Sequence, residues 1–177
     1  RLLERLASAG ADTVALTLIP AEGTEPDAPP SGADGDARPE MPADGLAAAL
    51  ALVPSVIGYA LTQQGAGAAP PPRAAGLAVV GSATPRLDSR LSATLLPAAE
   101  SVRAAQGLGA LNVFPDRDGR LRRVPLVVQW GEELYPSLAA EVLRVATGAG
   151  SHVVRIAADP VTDVSLSIRV GTRTVAL

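Results

Sequence analysis

Asp116 and Asp118 stand close to Arg122 and Arg123 in the run Pro115-Asp116-Arg117-Asp118-Gly119-Arg120-Leu121-Arg122-Arg123-Val124-Pro125-Leu126. Asp-x-Asp-Gly has the form of part of a calcium loop. A calcium site takes six or more oxygens, however, and this segment supplies Arg117, Arg120, Arg122 and Arg123 instead. No metal is expected. Two uses remain for Arg122 and Arg123. Neighbouring side chains of a strand point to opposite faces, so one arginine can pair with Asp116 or Asp118 and fix the turn. The other then faces solvent; alternatively a guanidinium lines a pocket for an anionic or carbonyl ligand, because its planar fork holds a carboxylate at two points.

Other residues with reactive side chains lack the company that chemistry needs. Ser137 has no Gly-x-Ser-x-Gly elbow around it, and it reads as the cap of the helix it opens. His152, the one histidine of the chain, follows a Gly148-Ala-Gly-Ser151 loop with no partner pattern and reads as an exposed loop residue. Glu132-Glu133 reads as a turn. With no cysteine and no lysine among the fifteen basic residues, thiol catalysis, disulfides, zinc-thiolate sites and lysine-dependent phosphate loops are all excluded. No catalytic residue and no cofactor are expected.

Elements must hold the arginine–aspartate run in place. Pro115 fixes φ, Asp116 can bond backbone N–H groups ahead of it, and Gly119 can take the positive φ that a turn requires. The flanking apolar runs therefore predict a β-hairpin, Ala110 to Phe114 paired with Leu121 to Gln129, with a charged tip. Tyr135 to Thr147 predicts a helix that Pro136 and Ser137 start, with a stripe of Leu138, Val142 and Val145. Trp130 and Tyr135 bracket the turn before it and close the bottom of the core.

Upstream, Leu2, Leu3 and Leu6 share a helical face that ends at Gly10, and Thr13 to Ile19 reads as a buried strand. Ala43 to Val53 predicts a second helix capped by Asp44, followed by a strand over Ser55 to Leu61 and another over Gly76 to Val80. A helix runs from Pro97 to Ala105 and ends at Gly107. Downstream, Val153 to Ile156 reads as a strand, and Val164 to Val170 with Arg173 to Leu177 as a hairpin over Gly171-Thr172. Segments 20–42 and 63–73, rich in Pro, Gly, Ala and polar residues, are expected to be flexible loops. This alternation predicts an α/β fold: a central mixed sheet with helices on its faces, plus the charged hairpin.

At 177 residues the chain fits one domain, residues 1–177. Hydrophobic residues make up 47% and aromatic ones 2%, so Leu, Val, Ile and Ala build the core. A net charge of −3 gives no electrostatic reason to expect nucleic acid. No apolar run reaches the ~18–20 residues that span a membrane, and no signal peptide is visible.

From Gly107 to Gly148, the Asn-Val step at Asn112, Pro115-Asp116-x-Asp118-Gly119, Arg122-Arg123-x-Pro125-Leu and Pro136-Ser137-Leu138 occur in the order found in CHASE2 domains, which this chain resembles. Upstream it matches less closely, through a helix, a Gly-Ala-led strand and the Asp44-x-Leu-Ala helix, and it lacks the aspartate that CHASE2 domains often carry in that strand. The resemblance implies an extracytoplasmic sensory domain of a bacterial transmembrane receptor, periplasmic in location and without enzymatic activity of its own. It also implies a membrane tether through flanking helices outside this chain, and an output module such as a nucleotide cyclase or sensor kinase. Asn112, Pro115, Asp116, Asp118, Gly119, Pro125, Pro136, Ser137 and Leu138 carry over as structural positions. Arg122 and Arg123 are the candidates for a small-molecule or ionic ligand, and a homodimer through the parent receptor is expected. The alternative is a structural or dimerising module with no ligand. The family's opening strand and closing part are not found, so the chain is expected to be truncated at both ends.

Overall fold

The computed structural model describes residues 1–17, 43–63, 70–81, 91–159 and 163–176. Its elements run α1 (Leu2–Ser8), β1 (Val14–Leu16), α2 (Ala43–Leu50), β2 (Ser55–Thr62), β3 (Gly76–Val80), β4 (Ala93–Leu95), α3 (Ala99–Ala104) and β5 (Gly107–Ala110). They continue as β6 (Val127–Trp130), β7 (Glu133–Pro136), α4 (Leu138–Ala146), β8 (Ser151–Asp159), β9 (Asp163–Val170) and β10 (Arg173–Ala176). Segment 20–42 lies outside the described residues. At the end of 63–73, Pro71 is buried and Arg73 lies over the Tyr135 ring, 4.4 Å from its centre.

The α/β expectation holds, with the strands divided between two main sheets. In the first, β2 is central. It pairs parallel with β1 (Val14 opposite Ser55) and with β5 (Val56 opposite Gly107), and antiparallel with β4 (Ala60 opposite Leu95). The run Ser55-Val-Ile-Gly-Tyr59 is buried throughout, as a strand covered on both faces must be. The second sheet has the order β10-β9-β8-β3, antiparallel except for the parallel β3–β8 pair. Its inner face alternates cleanly: His152, Val154 and Ile156 of β8 are buried, as are Ile168 and Val170 of β9.

Helix α4 lies between the sheets. It packs on β5 and β2 on one side, while its Ala140 joins the core of Val154, Ile156, Ile168 and Val170 on the other. The β6–β7 hairpin serves both cores. Val128 and Tyr135 enter the core of Leu50, Ile57, Tyr59 and Leu108, and Val127 and Leu134 enter the second.

Several element boundaries differ from the sequence reading. Ala110 to Phe114 does not pair with Leu121 to Gln129. The partner of β6 is β7, across the two-residue turn Gly131-Glu132, and β5 pairs with β2 instead. Burial decides this: Gly107 to Ala110 is buried and belongs in the sheet, whereas Val113 to Pro115 and Arg120 to Val124 are exposed. Tyr135 and Pro136 lie in β7, so the helix begins at Leu138. Gly107 opens β5 rather than ending a helix, Pro97 precedes the N-cap Ala98 of α3, and Asp44 falls inside the first turn of α2.

Close approach sets the position of α4. A Cβ on Gly109 would lie 2.4 Å from Leu138 Cα and 2.6 Å from Leu138 N, and one on Gly107 would lie 2.8 Å from Glu141 Cγ. Backbone atoms cannot swing aside as a side chain can, so Gly109→Ala must displace α4. Overpacking costs about 1–3 kcal/mol, and Gly109→Ala is expected to lose at least that in urea denaturation. The control is Gly45→Ala in α2, where nothing lies within 4 Å and the change should gain roughly 0.5–1 kcal/mol.

Candidate functional site

The turn predicted at Pro115 to Arg120 is present although the hairpin around it is not. The Gly119 N–H donates to the Asp116 carbonyl at 2.8 Å, the Asp116 N–H donates to the Arg120 carbonyl at 2.9 Å, and Gly119 takes φ 77°. A β-branched residue is strained at such a φ. Arg122 reaches both carboxylates. Its Nη1 lies 3.0 Å from Asp116 Oδ2 and 3.0 Å from Asp118 Oδ1, and its Nη2 lies 2.8 Å from Asp118 Oδ2. Arg123 Nη2 meets the other oxygen of Asp116 at 2.9 Å. The two arginines therefore do not point apart. They lie outside any strand, the alternation of a strand does not apply, and both converge on Asp116. Hydrogen bonds from Arg122, then Arg123, hold the Asp116 carboxyl below its ordinary range; Arg122, then the Arg120 N–H, do the same for Asp118. Guanidinium groups thus engage all four carboxylate oxygens of the Asp-x-Asp-Gly segment, and no cluster of metal-ligating side chains occurs among the described residues.

Asn112 works differently. Its Oδ1 accepts from the Leu61 N–H at 2.9 Å, and its Nδ2 donates to the Leu61 carbonyl at 2.7 Å. The side-chain amide thus continues, beside β2, the pairing that β5 begins. Ser137 caps α4 through Oγ, which accepts from the Ala140 N–H, and its own N–H donates to the Leu126 carbonyl. Pro136 is buried at the end of β7, Pro125 is half-buried before β6, Pro115 is exposed, and the Leu138 backbone rests on Gly109. Beside the turn lies an open, mostly apolar groove of about 430 Å³ that Leu111, Asn112, Val113, Val124, Leu138 and Val142 line.

A second cluster is buried, and sequence reasoning missed it. Glu141 on α4 is 1% exposed and bound in two places by Arg144, Oε1 to Nη2 at 2.8 Å and Oε2 to Nε at 3.0 Å. His152 on β8 is 0% exposed, with Nε2 3.3 Å from both Glu141 Oε2 and the Ala140 carbonyl. His152 is therefore not an exposed loop residue: β8 starts at Ser151, and His152 falls in its inward register with Val154 and Ile156. That period-two pattern was the available signal. For Glu141 the signal was Arg144 three residues on, within reach on the same helix face. Burial pushes the His152 ring below its ordinary pKa, against the opposing pull of Glu141.

Next to this cluster, Tyr135 Oη donates to Glu133 Oε2 at 2.8 Å, and Arg73 Nη2 lies 3.0 Å from the same oxygen. Burial, then the bond to Glu133, raises the Tyr135 phenol. Burial also raises Tyr59, whose hydroxyl has no partner among the described residues. The gap between Tyr59, Arg73, Tyr135 and Glu141 has no room for a water molecule. It is a packed seal and not a cavity.

Among the described residues no helix is long and apolar enough to cross a membrane. A family model, described as the CHASE2 domain, matches residues 1–175. No curated protein and no solved structure matches the chain.

Two substitutions separate the sites. Gly119→Val is expected to cost about 1–3 kcal/mol, the scale of backbone strain, in thermal or urea denaturation. Glu141→Ala leaves Arg144, which is 11% exposed, without its carboxylate. Breaking a buried pair in this way costs about 3–5 kcal/mol, so the same denaturation curves should rank Glu141→Ala as the more damaging.

Proposed function

Because the chain belongs to the CHASE2 family of extracytoplasmic sensory domains of receptors, we propose that it is the signal-input domain of a bacterial transmembrane receptor. In this reading flanking helices hold it on the outer side of the cytoplasmic membrane, a second copy pairs with it through the parent receptor, and the output module is a nucleotide cyclase or a sensor kinase. The family match over essentially the whole chain carries the reading. The groove beside the Asp116–Arg122 turn supports it, since its volume and mostly apolar lining suit a small molecule.

Arg122 and Arg123 divide the work within this proposal. Arg122 is engaged by two carboxylates and organises the turn. Arg123, whose side chain is 85% exposed and holds Asp116 through one nitrogen, keeps donors for an anionic group on a ligand seated near Val124. Arg123 is not itself among the residues that line the groove but adjoins Val124, which is, and in this reading its guanidinium reaches such a ligand through charge-assisted hydrogen bonds.

The test is made in the full-length receptor, with cyclase or kinase output and melting temperature both read for each variant. Arg122→Ala is expected to lower the melting temperature and the response together. Arg123→Ala should keep its melting temperature and lose the response to the inducing condition. If both variants lose output only in proportion to stability, the arginines are purely structural. If output also survives filling the groove with Val124→Trp in a folded receptor, the chain is a spacing or dimerising module.

A further inference from the structure

We propose that Glu141, Arg144 and His152 form a proton-operated latch between α4 and the β3–β8–β9–β10 sheet, so that acid outside the membrane loosens that sheet from the helix. The proposal deepens the sensory reading by naming the proton as a signal, and it rests on that reading for its consequence in the receptor.

The geometry fixes the resting state of the latch. Both neighbours of His152 Nε2, the Glu141 carboxylate and the Ala140 carbonyl, are acceptors, so Nε2 carries the hydrogen of a neutral ring. Nδ1 is buried and makes no hydrogen bond among the described residues. A second proton must go to Nδ1, where it would create a buried N–H with no acceptor in bonding geometry. Charge adds to that cost. With the ring neutral, Glu141 and Arg144 cancel; with the ring protonated, the cluster holds one uncompensated positive charge out of contact with water.

No other nearby group relieves that charge. On α4 the facing groups are Glu141 and Arg144, and Glu141 is already held at both oxygens by Arg144. Strand β3, beside His152, is Gly-Leu-Ala-Val-Val and carries no ionisable side chain; its Gly76 backbone favours the proton, an effect smaller than the burial that opposes it. Strand β9 places Val170 opposite His152, with Arg169 on the exposed face. Strand β5 has no ionisable side chain, and β2 offers only the neutral phenol of Tyr59. From β7, Glu133 is engaged by Arg73 and Tyr135.

The cluster also has mechanical leverage. Arg144 donates to the Gln106 carbonyl at 2.8 Å, at the start of β5, and to the Ala149 carbonyl at 3.1 Å, ahead of β8. The contact of the neutral His152 ring with Glu141 joins α4 to the second sheet, and a ring that takes up a proton and leaves its buried site for water gives that contact up. Losing it releases β8 from a helix that stays seated on β5.

The sign follows from linkage. The folded ring sits below its unfolded value of about 6.5, so in mild acid the unfolded chain binds a proton that the folded chain refuses. Stability is complete above roughly pH 6.5 and falls as pH drops towards the folded value, by up to about tenfold in the unfolding constant per pH unit. Asp116 and Asp118, held low by their arginines, act the same way only near and below about pH 4, so the interval from pH 7 to 5 reads His152 rather than these two.

Because the chain has one histidine, a carbon-13 label at its Cε1 gives one signal to titrate. On the 177-residue chain the midpoint is expected below 6.5, with the urea midpoint falling and amide exchange in β8 accelerating between pH 7 and 5. His152→Gln retains a donor at the Nε2 position and should flatten that fall. A ring midpoint at or above 6.5, a flat wild-type urea midpoint, or an unchanged slope in His152→Gln overturns the latch. If His152→Gln does not fold, the wild-type ring titration and amide exchange decide. A pH step in the chain beside receptor output that stays flat from pH 7 to 5 overturns the proton as signal, while the sensory reading stands on other ligands.

Discussion

The first turn of α4 rests directly on the backbone of β5, and most of the structure follows from that contact. A helix advances about 4.5 Å over three residues and a strand about 6.6 Å over two. Leu138 over Gly109 therefore brings Glu141 over Gly107. The glycines let the helix axis come close: helix backbone fills the space left by the missing Cβ at Gly109, and the Glu141 side chain fills it at Gly107. A wholly apolar helix face could turn or slide on a sheet with little penalty. A buried carboxylate that must meet Arg144 and His152 allows one rotation of α4, and through it one placement of the second sheet.

The two charged clusters obey different physics. Around Asp116 the side chains face water, where screening weakens any single ion pair, and Arg122 keeps a stabilising share because it meets two carboxylates at once. Their effect is on shape: they close a turn whose flanks have no strand partners. Around Glu141 water is excluded, so each missing partner is felt in full and each added charge has nowhere to go. A signal that arrives as a bound molecule suits the first setting, and one that arrives as a change of protonation suits the second.

Much of this was legible in the sequence. The runs at Ser55 to Leu61 and Val164 to Val170 read as strands because β-branched and apolar residues sit between turn formers. Gly119 announced its positive φ, and Ser137 its cap. The pairing of β5 and β6 was not legible, because the charged turn at Asp116 joins two apolar runs just as a hairpin does. Partner choice there depends on burial by α4, which no local pattern reports. His152 was misread for a related reason. The glycine-rich segment before it looked like a loop that included it, and one polar residue at the head of an inward-facing series carries little weight. Glu141 was hidden by the ordinary rule that carboxylates face water. The family signature marked neither residue, since Arg122 and Arg123 lie beside the exposed turn and Pro136, Ser137 and Leu138 stop one helical turn short of Glu141.

The clamp of Asn112 on Leu61 bears on how copies of this domain can meet. Where β5 leaves β2, the N–H and carbonyl of Leu61 would stand open at the sheet margin, ready to recruit a strand from another molecule. The side-chain amide fills both positions, and the Ala110–Ser137 bridge covers the neighbouring stretch of β5. That margin of the first sheet is stoppered against strand addition. A strand from another molecule finds no open backbone pair at Leu61 to extend the sheet from there.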